Sequence, residues 1–401
     1  MNFSSNIAEL RPSATIAVST LAKKLRAEGR DIIDLSAGEP DFPTPEWICD
    51  AAVEGIRAGR TRYTPAPGIP ELRSAAVASM RRGGRGEGWT LGPDQVVVTC
   101  GAKQALYNAC TALFGPGDEV MVATPYWTSY PQIVSLARAE STFVAGPADQ
   151  GFKLTPELLE AQRTEATRGL ILCSPSNPVG LVYSLEELRA VARWTRDHGV
   201  HLISDEIYRR IYFGDSGESA PGLLDLDAGD VGSYVVVDGV SKAYAMTGWR
   251  IGLALAPVEI AAKLSALQSH STSNAATPSQ VAALRALSDG DRADAEIRSM
   301  VEAFRRRRDL VLDRFAERLP DLEVVVPEGA FYLFIRVDGD YGGDVADSQS
   351  WCSAVLESVG VALVPGAAFG DDRYVRLSYA TSDDLLEEAI RRVQKHRAES
   401  D

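Results

Sequence analysis

Lys242 follows the hydrophobic run Tyr234-Val235-Val236-Val237 at a point where a strand should end, and Arg250 comes eight residues later, after Trp249. Strand ends are where open α/β sheets keep their chemistry. A lysine there can form a Schiff base with a carbonyl if desolvation or nearby cations lower its pKa, and a fixed arginine can hold a phosphate. Taken alone, the same residues describe a surface lysine beside a core tryptophan.

Other predicted strand ends add groups that a phosphorylated aldehyde cofactor would need. Gly101-Ala102-Lys103-Gln104 follows an apolar run and opens a helix, whose first N–H groups and dipole favour an anion. Trp127 can stack on an aromatic ring. Asp205 can pair with a pyridinium nitrogen, while Asn177 and Tyr208 can hydrogen-bond a phenolic oxygen. Each has an ordinary structural explanation: an empty glycine turn, a core tryptophan, a helix cap at Asp205. Together, at successive strand ends, they are hard to explain as structure.

The elements that must position these groups are legible as periodicities. Short continuous apolar runs at 95–98, 119–122, 170–172, 201–203, 235–237 and 253–255 alternate with helix-length segments. Such runs suit strands covered on both faces, so the predicted fold class is α/β, a mainly parallel sheet sandwiched by helices. Helices are predicted at 18–28, 45–58 and 70–82, and Ser184 with Glu187 has capping-box spacing at the start of another. A short strand at 31–35 leads into Ser36-Ala37-Gly38-Glu39-Pro40, an irregular loop where Gly38 permits close approach to the backbone. After about residue 290 a long helix, strands at 322–326, 331–335 and 374–378, and helices at 348–359 and 382–397 read as an α+β tail. The predicted division is an arm over 1–15, a small α+β domain from 16–47 plus 291–401, and a large cofactor-binding domain over 48–290.

The chain has 401 residues, 45% of them hydrophobic and 24% charged, with a net charge of -14. That balance argues against a nucleic-acid partner, which needs clustered cations. The exception, Arg305-Arg306-Arg307-Arg308, sits in a helical pattern and is expected to form a solvated face. Five scattered cysteines form no CxxC, no metal site is expected, and no apolar run reaches the ~18 residues of a membrane span. A soluble cytoplasmic protein with free thiols is the expectation, with no membrane partner.

Ser241-Lys242, Gly248-Trp249-Arg250-Ile251-Gly252, Ser176-Asn177-Pro178, Asp205-Glu206-Ile207-Tyr208 and Tyr374-Val375-Arg376-Leu377-Ser378 resemble the class I, fold-type I pyridoxal-phosphate aminotransferases. The resemblance runs from about Pro12 to the C-terminal helix. It implies pyridoxal 5'-phosphate as cofactor, a Schiff base on Lys242, Asp205 on the ring nitrogen, Asn177 and Tyr208 on the phenolic oxygen, and Trp127 over the ring. It also implies Arg250, Ser241, Gly101 and Ala102 around the phosphate, and Arg376 on the substrate α-carboxylate with Asn177 and Gly38. Tyr63 would reach the phosphate of a neighbouring subunit, making a homodimer with shared active sites.

The chain departs from the family at Val179, often a threonine, and at Gly239, often a serine. No arginine lies in 269–274, where the aspartate enzymes of the family often have one. The chain is most similar to a bacterial aspartate/prephenate subgroup in which Lys103 would take the distal carboxylate, with Ser13 and Thr15 on the arm that closes over it. The implied reaction is a ping-pong exchange of an amino group between an amino acid, aspartate or glutamate first, and a 2-oxo acid, with prephenate a further acceptor. A lyase, cyclase or aminotransferase acting on a larger amino acid remains the alternative. A non-catalytic cofactor-binding regulator is disfavoured by the absence of a DNA-binding pattern.

Overall fold

The computed structural model describes residues 4–8, 10, 12–214 and 219–400. Residues 1–3, 9 and 11 of the predicted arm lie outside them. Among the described residues, thirteen strands form three sheets: β1 (Ile33–Asp34), β2 (Val96–Thr99), β3 (Glu119–Thr124), β4 (Glu140–Ala145), β5 (Thr167–Cys173), β6 (His201–Asp205), β7 (Tyr234–Gly239), β8 (Gly252–Leu255), β9 (Val324–Val325), β10 (Tyr332–Arg336), β11 (Val361–Ala362), β12 (Val364–Pro365) and β13 (Tyr374–Ser378).

The central sheet has the order β2-β8-β7-β6-β5-β3-β4. Its pairs are parallel except β8, which runs antiparallel to both neighbours. Alternate residues of the same strands enter two different cores: Val96, Met121, Leu170, Leu202 and Val236 on one face, Val97, Val120, Ile171, Ile203 and Val235 on the other. This two-faced burial is why the strands read as continuous apolar runs. In the central sheet β4 is the strand missed in the sequence, as were the two-residue strands β11 and β12 elsewhere. β4 lies at the sheet edge with Glu140, Phe143 and Ala145 exposed, so its pattern is half polar, Glu140-Ser141-Thr142 before Phe143-Val144-Ala145.

The helices Glu46–Arg57, Pro70–Met80 and Ser348–Val359 match their expected spans closely. Ser184 and Glu187 form the capping box: the Ser184 hydroxyl accepts from Glu187 N at 3.2 Å, and the Glu187 carboxylate accepts from Ser184 N at 2.7 Å. The first long helix starts earlier than expected, at Ala14, and ends before Gly29, whose φ of +87° suits a glycine. The remaining strands form the antiparallel sheet β12-β13-β10-β9 and the parallel pair β1-β11, and Tyr332 of β10, Arg376 of β13 and Ser36 after β1 meet Cys173, Asp205 and Lys242 at the ends of β5, β6 and β7. A third core gathers Ile33 and Leu35 with Phe304, Leu333, Val375 and Ile390, and takes in Ile207 and Tyr208 from the segment after β6.

The arginine run corrects the expectation of a solvated face. Arg306 is exposed, but Arg307 is buried, its Nη1 and Nη2 each 2.8 Å from an oxygen of Asp41 and its Nε 3.4 Å from Asp383. The run lies on the helix Gly290–Arg318, and the acids come from elsewhere in the chain: Asp41, 266 positions away, lies on the loop after β1, and Asp383, 76 positions away, is the first residue of the helix Asp383–Ser400. Periodicity within the helix could not show it.

Candidate active site

One cavity of about 400 Å³ opens where the central sheet meets the second sheet. Several wall residues arrive where an element ends. β7 ends at Gly239 and delivers Ser241 and Lys242; β6 ends at Asp205, followed by Tyr208; β5 ends at Cys173, followed by Asn177; β13 carries Arg376. Ala102 and Lys103 open the helix Ala102–Leu113, and Gly38 belongs to the loop after β1.

Lys242 is half-buried and donates to the carbonyl of Gly38, with its Nζ 5.6 Å from the Tyr208 ring centroid and 5.8 Å from that of Phe331. Burial, opposed by Glu39 and assisted by Arg376 and Arg250, brings its pKa down to about 8. A useful fraction is therefore neutral and nucleophilic near neutral pH. Asp205 is buried, and burial pushes it up to about 6 although Tyr130 donates to its Oδ2 at 2.7 Å and Ile207 N to its Oδ1 at 3.2 Å. Among the described residues it has no ion-pair partner within 4 Å. A buried carboxylate in that condition gains most from a cation supplied by a ligand.

Arg376 is 1% exposed. It donates to Asn177 Oδ1 at 2.9 Å and to the Ser36 carbonyl at 2.7 Å, it faces the Tyr332 ring at 4.4 Å, and its Nε has no partner. With neutral partners only, this buried guanidinium keeps the capacity to grip a carboxylate. Accepting from Arg376 leaves the Asn177 amide free to donate. The Tyr208 hydroxyl lies 2.8 Å from that of Tyr332.

The phosphate-sized corner is built by backbone. Arg250 holds a left-handed φ of 55°, rare for a residue with a side chain, and its Nη1 donates to Thr247 O at 3.0 Å. Its guanidinium lies across Gly101, which has φ +83°, so any Cβ there would collide with it. Gly252 is equally constrained, because a Cβ would strike the Gly101–Ala102 backbone. The glycines thus bring β8, the helix N-terminus and a guanidinium together, as anion binding requires.

Most of the residues singled out in the sequence meet at this cavity. Gly101 lies just under its wall as the helix N-cap. Ser13 is held 2.9 Å from the Thr15 hydroxyl, and Thr15 lines the cavity while Ser13 does not. Tyr63 is not brought to it: the side chain is 90% exposed on the surface. Lys103 lies with its Nζ 4.9 Å from the Trp127 ring centroid, and partial burial and Arg250 lower its pKa. Sequence reasoning missed Tyr130, Tyr332 and the Ser36 carbonyl. Tyr130, three residues after Trp127, had a weak helical-spacing signal; the other two had none.

Comparison with known proteins decides the family. The profile described as Aminotransferase class I and II matches residues 30–393. The chain is 40% identical over 396 residues to an aspartate aminotransferase of Geobacillus stearothermophilus, covering 98% of each chain. It is 44% identical to an aspartate/prephenate aminotransferase of Cereibacter sphaeroides, covering 98% of this chain and 97% of that one. The solved structure of Thermus thermophilus aspartate aminotransferase with maleate superposes with a TM-score of 0.91 at 39% identity, covering 99% of this chain and 100% of the other.

The chain belongs to the class I and II aminotransferases.

As a class I and II aminotransferase it uses pyridoxal phosphate to move an amino group between an amino acid and a 2-oxo acid. The residues present fit that cofactor: a lysine of lowered pKa, a buried carboxylate without a cation, and a glycine cradle under a guanidinium. Among the described residues, no helix of this aminotransferase is long and apolar enough to cross a membrane.

Proposed function

We propose that this aminotransferase acts on dicarboxylic substrates, aspartate and glutamate with their 2-oxo acids. The observation that carries the reading is that, beyond Lys242 and Arg250, which the cofactor would engage, the cavity is lined by Arg376 and Lys103, both left without an ion pair among the described residues. Arg376 takes the α-carboxylate with the Gly38 loop beside it, and Lys103 the distal carboxylate. The names of the relatives point to the same substrate class.

Pyridoxal phosphate, when bound, supplies an aldehyde that condenses with amines and a ring that absorbs the electrons of a broken Cα–H bond. Lys242 Nζ, in its neutral fraction, is the amine that would hold that aldehyde, and as a free amine it would move the proton at the substrate Cα. Asp205 would stabilise positive charge at the ring nitrogen, Asn177 and Tyr208 would donate to the phenolic oxygen, Trp127 would cover a ring face, and Arg250, Ser241 and the Gly101–Ala102 turn would hold the phosphate. Thr15, which lines the cavity, and Ser13, hydrogen-bonded to it at the start of the helix Ala14–Ala27, would belong to the arm that closes over the distal carboxylate.

In this reading the working unit is a cytoplasmic homodimer, with Tyr63 reaching a partner's phosphate; its 90% exposure on a single chain suits that placement. The division into a large domain over 48–290 and a small one from 16–47 with 291–401 is supported by the core that joins Ile33 and Leu35 to Phe304 and Ile390.

The substrate assignment is tested with Lys103→Ala. It is expected to lower kcat/KM for aspartate by about 1.5–3 kcal/mol, the worth of a charge-assisted contact, while leaving alanine nearly unchanged. Equal losses for both amino acids would assign Lys103 to the cofactor or the fold and remove the dicarboxylate reading.

A further inference from the structure

Tyr130 opens the helix Tyr130–Leu136 and is 3% exposed, with its ring edge-on to Trp127 at 5.4 Å. A buried tyrosine hydroxyl needs a partner, and a backbone carbonyl would serve. This one instead donates to Asp205 Oδ2 at 2.7 Å, a short bond of the charge-assisted kind. The other carboxylate oxygen receives only Ile207 N, at 3.2 Å. The groups that face Asp205 otherwise are poor at keeping it ionised. Glu206 beside it and Asp238 on β7 are acids, Cys173 on β5 is a buried thiol, and Lys242, a cation below its lowered pKa of about 8, makes no ion pair with Asp205 within 4 Å among the described residues. Burial keeps the Tyr130 phenol far above its ordinary pKa, so it remains a donor at every working pH.

We propose that Tyr130 is a positioning residue for the cofactor ring: its hydroxyl holds Asp205 ionised and turned so that the carboxylate can face a cationic ring nitrogen. This rests on the reading of Asp205 as the partner of that nitrogen. Without the phenol, the buried carboxylate would take up a proton more readily, and binding a cationic ring would first require that proton to leave. The cost falls where Asp205 is protonated in the free protein and vanishes where it is ionised anyway. The effect is therefore largest at low pH and fades as pH rises.

The test is the affinity of the full-length, cofactor-free protein for pyridoxal phosphate between pH 6 and 9, for wild type and Tyr130→Phe. The ratio of the two dissociation constants cancels the titration of Lys242, which both proteins share. The ratio should be about tenfold or more at pH 6.5 and fall below about threefold at pH 9. With the 1-deaza analogue, in which carbon replaces the ring nitrogen, it should stay near one throughout. A ratio that does not change with pH, or that survives in the analogue, would overturn the proposal and leave Tyr130 a packing residue. Site-specific 3-fluorotyrosine at position 130, a more acidic donor of nearly the same shape, should bind more tightly than wild type at pH 6.5; no change there would also overturn it, even if Tyr130→Phe did not fold. Asp205→Ala separates the two ideas. If it binds the cofactor as wild type does, the reading of Asp205 itself fails, whereas a loss in Asp205→Ala without one in Tyr130→Phe sinks only the role of Tyr130.

Discussion

Arg307 and Arg376 are both buried arginines, and their surroundings differ in one respect. Arg307 has its fork filled by Asp41, with Asp383 at its Nε, so its charge is neutralised where it lies. Arg376 meets an amide oxygen, a backbone carbonyl and two aromatic faces, with its Nε unpartnered. Desolvating a cation is costly unless an anion returns the lost energy. At Arg307 the protein supplies that anion; at Arg376 it leaves the place to a ligand. Burial alone therefore does not mark a functional residue, and the missing counter-charge does. Adjacent Asp205 and Glu206 repeat the contrast. Glu206 is 3.4 Å from Arg85 and 3.7 Å from Arg209, whereas Asp205 has hydrogen bonds but, among the described residues, no cation within 4 Å.

The contrast can be broken experimentally. The largest effect belongs to Lys242→Ala, which is expected to cut turnover by ~10⁴-fold or more while the protein stays folded, as read by steady-state kinetics beside circular dichroism. Normal turnover in that variant would end the whole assignment. Next comes Arg376→Met, where kcat/KM should fall by about 3–5 kcal/mol for alanine as well as aspartate, with denaturant stability unchanged or raised. A stability loss matching the kinetic one would make Arg376 structural after all.

Arg307→Met should show the inverse pattern, a loss of about 2–3 kcal/mol in unfolding free energy, discounted because Asp41 is partly exposed, with kcat/KM within about tenfold of wild type. The smallest effect concerns pH. Lys242 has its pKa lowered on folding to about 8 from an ordinary 10.5, so the unfolded chain binds more protons between those values. Stability of the cofactor-free protein should therefore rise from pH 8 toward 10.5, by about 2 kcal/mol once its exposure to the cavity is allowed for, and Lys242→Met should flatten that slope. A slope unchanged in Lys242→Met would mean that the lysine is solvated in the free protein.

The central sheet was legible because β3, β5, β6 and β7 are buried on both faces and advertise it as apolar runs, whereas the edge strand β4 does not. Lys242, Asp205, Asn177 and Arg250 could be singled out because a strand end is a local feature. Tyr332 could not, since in β10 it reads as one more aromatic beside Phe331 and Phe334, all equally buried. The helical reading of the arginine run was right about its helix and wrong about Arg307, whose partners lie on other elements.

The sequence by itself determined the order of the main buried strands and helices, the helix-end signals at Ser184 and Gly29, and the residues that follow those strands, because these follow from interactions between near neighbours. The family motifs lie on those same local pieces. Only the tertiary structure decided which charges are neutralised, how far Lys242 and Asp205 are pushed from their ordinary pKa values, and that Arg376 meets Ser36 across 340 residues of chain. The reason is physical: desolvation and pairing depend on what surrounds a charge in space, and a buried group's surroundings are assembled from strands and loops that the chain visits far apart.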